Sequence, residues 1–108
     1  MAVGADAAEE ESRLRYVLFY ESGDEVAEKA PLYFPAHRAR WLTFRDRGEL
    51  LMVGPFTDGG GAMAVFTSAR AAHEFAEGDP FVTNGVVRDW HVREWREAIS
   101  ELTAPAGD

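Results

Sequence analysis

The groups in this 108-residue sequence that could carry acid–base, nucleophilic or metal chemistry are few: three histidines, no cysteine and nineteen carboxylates. His37 has the most informative surroundings. It precedes Trp41 by four residues and Phe44 by seven, a spacing that sets all three on one face of a helix. The imidazole then lies beside two aromatic rings and is at least half removed from water. Burial and a helix start at Pro35 both disfavour the imidazolium, whereas a nearby carboxylate favours it. Such opposing influences suit a general base. From spacing alone, His37 fits equally a structural histidine at the core edge, bonded to backbone. Asp79 is the candidate partner. Followed by Pro80, it has the form of an N-cap and N1 pair for a short turn over 80–83. It also follows the C-terminal end of a helix, where a carboxylate is unfavourable unless a cation or donor is close. A carboxylate has about four acceptor sites, enough to cap the turn and orient His37 together.

The remaining candidates would bind rather than react. Arg40 lies three residues after His37 and is expected at the pocket rim, facing an anionic substrate group, while Arg38, Arg45 and Arg47 form a solvated face. Tyr16 and Tyr20 share one face of the first strand; the Tyr20 hydroxyl is a candidate for orienting a phenolic or enolic substrate, and Tyr16 for core packing. Trp90 is a candidate aromatic contact for the substrate. His73 falls on the outer face of the second helix, and His91 faces opposite to Trp90, where it could line a barrel. Three histidines without HxH or HExxH spacing make no metal site. Gly59-Gly60-Gly61 lacks the Lys-Ser/Thr of a phosphate loop, and no serine lies in a Gly-x-Ser-x-Gly elbow.

The elements that must position these side chains follow from periodicity. Leu14 to Glu21, aromatic and β-branched and flanked by Ser22-Gly23, predicts a central strand buried on both faces. Pro35 to Arg47 predicts a helix stopped by Gly48. Glu49 to Phe56 and Gly61 to Thr67 predict strands of a hairpin turning through Thr57-Asp58-Gly59-Gly60. Ser68 caps a second helix to about Glu77, with Ala72, Phe75 and Ala76 inside and Gly78 as its stop. Val86 to Trp95 alternates as a last strand with Val86, Arg88, Trp90 and Val92 on one face. The order β-α-β-β-α-β is that of an α+β, ferredoxin-like fold, two helices covering one face of an antiparallel sheet. With Phe19, Phe66, Trp90 and Trp95 on the strands, the open face is expected to be covered by a second copy, as a homodimer.

Composition bounds the rest. With 46% hydrophobic and 28% charged residues, the chain is expected to be a single soluble domain over residues 13–100. The net charge of -8 is concentrated at the ends: residues 1–12 hold four acids and no base, and residues 101–108 hold two more acids. Removing these six from nineteen leaves thirteen acids against eleven bases, so the folded part is nearly balanced. The segment 1–12 predicts a disordered acidic tail, and 101–108 a second short tail. Acidic ends disfavour nucleic acid. No run of eighteen apolar residues and no signal-like start are present, which predicts a cytoplasmic protein with no membrane partner. The absence of cysteine excludes thiolate metal sites and thiol nucleophiles.

Pro35-Ala36-His37, Gly48-Glu49-Leu50-Leu51-Met52-Val53-Gly54-Pro55, and Asp79-Pro80-Phe81 with Gly85-Val86, in that order and spacing, resemble the YciI-like (YCII-related) family of dimeric α+β barrel proteins. The resemblance covers roughly residues 14 to 95 and departs at Phe34, where relatives often carry a basic residue, and at the Thr57 to Gly61 loop, which is short. It implies a His–Asp pair in a pocket, matching His37 and Asp79, and a small-molecule substrate. Members of that family include a dehydrochlorinase of chlorinated hydroxyquinols. Together with the residue chemistry, it points to a cofactor-free lyase or isomerase acting on a small cyclic or enolisable substrate. The alternatives are a cofactor-independent oxygenase of an aromatic substrate, and a non-catalytic ligand-binding or dimerisation module.

Overall fold

The computed structural model describes residues 13–102. The expected tail over 1–12, and all of 101–108 except its first two residues, lie outside the described residues. Seven elements follow one another: β1 (Leu14–Ser22), α1 (Val26–Asp46), β2 (Leu50–Pro55), β3 (Gly61–Phe66), α2 (Ala69–Gly78), α3 (Pro80–Thr83) and β4 (Val87–Arg96). The strands form one antiparallel sheet in the order β2-β3-β1-β4, so β1 is internal, as its apolar run predicts. This is an α+β, ferredoxin-like β-α-β-β-α-β fold, with the 80–83 turn closing into the short helix α3.

Alternation along β1 separates the two faces of the sheet. Leu18 and Tyr20 enter the core beneath the helices with Ala64 and Phe66, whereas Val17, Phe19 and Met63 line the opposite face with Trp95. On the helix side Phe44, Phe66 and Phe75 are fully buried and meet largely edge-on. The Phe44 and Phe75 rings lie 5.3 Å apart at 89°, and the Phe66 and Phe75 rings 5.4 Å apart. Ser68 caps α2 as expected, its hydroxyl accepting from the Ala71 N–H at 3.1 Å. At the start of β3 a side chain is impossible: a Cβ on Gly61 would approach the Tyr20 carbonyl oxygen to 1.9 Å. Glycine there lets β3 close onto β1 beside Tyr20.

Three expectations are corrected. Helix α1 starts at Val26, nine residues before Pro35, and Pro31 and Pro35 both lie inside it. Each proline removes one backbone donor, but the helix continues because its inner face is held against the sheet. His37 is therefore three turns into a helix, and no helix-start field acts on it. Secondly, β4 does not alternate from Val86 through Val92. Pairing with β1 shifts between Glu21 and Ser22, so Val87 takes the core position and Arg88 turns out to pair with Glu21 and Asp24. Thirdly, of the four strand aromatics expected to need a second copy, Phe66 and Trp90 pack on the helix-side core. Only Phe19 and Trp95 lie on the open face.

Candidate active site

His37 and Asp79 are 42 residues apart in sequence and are brought together where α1 crosses the junction of α2 and α3. Asp79 ends α2 and caps α3, accepting from the Phe81 N–H at 3.1 Å. The capping role and the pairing role coexist, as the acceptor count of a carboxylate allows. His37 Nδ1 lies 2.8 Å from Asp79 Oδ1 and 3.0 Å from Oδ2. The Tyr20 hydroxyl, rising from β1, donates to Oδ2 at 2.5 Å. Asp79 has no exposure to solvent and His37 only 8%. Three donors thus converge on a carboxylate that water does not reach, which is how a buried charge is tolerated.

The imidazole is fixed in orientation as well as in place. It stacks on Phe81 with ring centres 3.8 Å apart and planes within 4°, and Trp41 meets it edge-on at 5.9 Å. With Nδ1 committed to Asp79, the proton sits on Nδ1 and Nε2 presents its lone pair. Nε2 has no hydrogen-bond partner and is not sealed off, because Trp41 Nε1 is the one fully buried, unpartnered side-chain nitrogen or oxygen among the described residues. His37 lines a cavity of about 330 Å³ between α1 and the helix-facing side of the sheet, and Nε2 is the ring nitrogen left free for a ligand there.

Tyr20 also lines this cavity, but its hydroxyl is spent on Asp79. Burial first, then the neighbouring carboxylate and the hydrogen bond to it, push the phenol well above its ordinary range; Arg40 acts weakly the other way. Tyr20 is thus a neutral donor at working pH, and its hydroxyl proton is held by Asp79.

Arg40 and Trp90 are not brought to the cavity. Arg40 donates from Nε to the Phe75 carbonyl at 3.0 Å and from Nη2 to the Glu74 carbonyl at 2.7 Å, and its guanidinium lies over the Phe44 and Phe75 rings. It ties α1 to the end of α2, one turn from His37 and just before Asp79. Gly78 leaves the room: a Cβ there would lie 2.5 Å from Arg40 Nη2. Replacing Arg40 with Ala is expected to destabilise the fold by about 1–3 kcal/mol, seen as a lower urea midpoint. Lys should not restore it, because one ammonium cannot fork across two carbonyls. Trp90 pairs with Tyr20 across the β1–β4 ladder and meets His73 at 5.6 Å on the exposed side of α2. His91 stacks on Phe19 on the open sheet face. Among the described residues no three His, Cys, Asp or Glu side chains are grouped to hold a metal ion.

Two contributors escaped the sequence reading. Phe81 follows Asp79 by two residues, and the short helix that Asp79 caps swings it over His37. Phe34, one helical turn before His37, lines the cavity. A helix begun before Pro35 would have exposed that spacing.

A model of the YCII-related domain matches residues 14–96. The chain belongs to the YCII-related family. Curated YCII-related relatives are the YciI proteins of Escherichia coli O6:H1 and Shigella flexneri, each 32% identical over 96 residues, a match covering 78% of this chain and 98% of the relative. Among solved structures, the fold matches 5-chloro-2-hydroxyhydroquinone dehydrochlorinase of Burkholderia phenoliruptrix AC1100, in complex with 2,5-dihydroxybenzoquinone. The TM-score is 0.64 at 18% identity, over 76% of this chain and 93% of that one. A conserved protein of Methanosarcina mazei Go1 matches with a TM-score of 0.54 at 7% identity, over 83% and 98%. No helix among the described residues is long and apolar enough to cross a membrane.

Proposed function

We propose that this YCII-related protein is a cofactor-free cytoplasmic enzyme in which His37 removes a proton from a small cyclic or enolisable substrate. The observation that carries the proposal is the placement of His37 Nδ1 on a fully buried carboxylate while the imidazole lines the cavity with Nε2 free of a hydrogen-bond partner. Nε2 accepts the proton from carbon or from a phenolic oxygen. The imidazolium so formed is stabilised by Asp79, which Tyr20 and the Phe81 N–H hold in place. The electron pair left on the substrate has two outlets. In isomerisation the proton returns from Nε2 to another atom; in elimination the pair forms a double bond as a leaving group departs with its own electrons. The dehydrochlorinase of the same fold supports elimination as the first class to assay.

The assay is a panel of enolisable ketones and halogenated phenols in deuterated buffer, followed by NMR for solvent deuterium at carbon and for released halide. Deuterium uptake or halide release without oxygen consumption is expected. Oxygen-dependent conversion would favour the oxygenase, and a panel neither exchanged nor converted would favour a binding module.

A second copy on the open sheet face completes the proposal. Phe19 and Met63 line that face beside Arg93 and Glu94, and Trp95 remains 52% exposed there; an exposed aromatic on an apolar sheet face rimmed by charged residues is the form of a protein–protein contact. Light scattering is expected to give twice the 12.0 kDa chain mass at micromolar concentration. Trp95→Glu should shift that mass toward the monomer, and a wild-type monomer would refute the dimer.

A further inference from the structure

We infer that the cavity selects a neutral substrate with one polar end, which carries the acidic O–H or C–H to His37, and an otherwise apolar body. The inference rests on His37 acting as the base and adds the substrate class. At about 330 Å³ the cavity is at the lower limit of ligand pockets. Its walls come from the apolar side of α1 and from β2 and β3, with Val26, Phe34, Val53, Phe56 and Ala62 among them, and no Asp, Glu, Lys or Arg among the described residues lines it. Phe34 and Phe56 are also 43% and 40% exposed, so the apolar wall continues outward to solvent.

The polar side-chain groups on the wall are four, and two are already committed or closed. The Tyr20 hydroxyl donates to Asp79, and Trp41 Nε1 is buried. His37 Nε2 and the Ser22 hydroxyl remain. Charge accounting is stricter. One negative charge, formed when the substrate gives up its proton, is matched by the imidazolium. A carboxylate or phosphate already present on the substrate would be a second anion without a counter-charge, in apolar surroundings and near Asp79. Hydroxyls beyond the one that Ser22 can serve would shed water and find no side-chain partner, each costing about tenfold in affinity. Polyhydroxylated rings are therefore disfavoured here, and alkyl or halogen substituents are accepted.

The test is a titration of the full chain at neutral pH with 4-chlorophenol, 4-hydroxybenzoate and benzene-1,3,5-triol, followed by methyl NMR with Val26 and Val53 as reporters inside the cavity. 4-Chlorophenol should bind at least about tenfold more tightly than either of the others and should shift both reporters. Equal or tighter binding of the carboxylate or the triol would overturn the inference, as would failure of 4-chlorophenol to move the reporters at millimolar concentration. Repeating the titration and the deuterium assay with His37→Gln separates this from the base proposal. Selectivity present while exchange survives the substitution removes the base and keeps the pocket class. Selectivity absent while exchange still requires His37 removes the pocket class and keeps the base.

Discussion

Asp79→Asn is expected to lower turnover of any substrate the wild-type chain converts by a factor of about 10²–10⁴, the range for loss of a general base, while the fold persists. The amide keeps the shape of the carboxylate: its oxygen, at the Oδ1 position, still accepts from the Phe81 N–H, and its NH2, at the Oδ2 position, donates to the Tyr20 hydroxyl oxygen. What changes is the face shown to His37. Asp79 accepts from Nδ1 at 2.8 Å, which puts the ring proton on Nδ1 and the lone pair on Nε2. With its oxygen engaged by the Phe81 N–H, Asn places its NH2 at the Oδ2 position, 3.0 Å from His37 Nδ1, which becomes the acceptor and sends the proton to Nε2. The base is then protonated at the one ring nitrogen that Asp79 leaves free, and the imidazolium has lost its counter-charge. His37→Gln should be at least as damaging. Nitrogen NMR of the ring is the decisive accompaniment: Nε2 should change from bare to protonated in Asp79→Asn. A variant that keeps wild-type turnover, or one whose His37 tautomer does not change, would remove Asp79 from the chemistry.

Much of this site was legible because its parts are local signals. The i, i+4, i+7 spacing of His37, Trp41 and Phe44 identified the buried face, and Asp79-Pro80 identified a cap that α3 displays. The illegible parts depend on tertiary contacts. Pro35 looks like a helix start because a first turn has no use for its missing N–H; the chain tolerates it mid-helix because the inner face of α1 is held down elsewhere. Tyr20 shares its strand face with Tyr16, and alternation shows that its ring enters the core. It does not show that a carboxylate 59 residues later will accept its proton. Arg40 was expected at an anion for the same reason: its charge is visible in sequence, but the α2 carbonyls that use it are not. The β4 shift at Ser22 likewise moved Arg88 off a face that strict alternation assigned to it.

Asp79→Ala should behave unlike Asp79→Asn, and the comparison separates what the residue does for the fold from what it does for His37. Removing the whole group leaves the Tyr20 O–H, His37 Nδ1 and the Phe81 N–H without their acceptor, in a place where Asp79 itself has no exposure. Two or three orphaned donors at about 1–3 kcal/mol each give an expected loss of about 2–9 kcal/mol. It would be read as a lower urea midpoint at unchanged slope. Asn retains an acceptor and introduces no charge, so its midpoint should stay near wild type or rise, since a buried carboxylate contributes little net stability even when well paired. If Ala proves as stable as wild type, water replaces the carboxylate freely and Asp79 is not the anchor of this junction. If Asn is fully stable and nearly inactive, shape and hydrogen bonding account for the fold and the negative charge serves only the histidine. A binding module would have no reason to retain that charge, because folding does not need it; a site that must stabilise a transient imidazolium does.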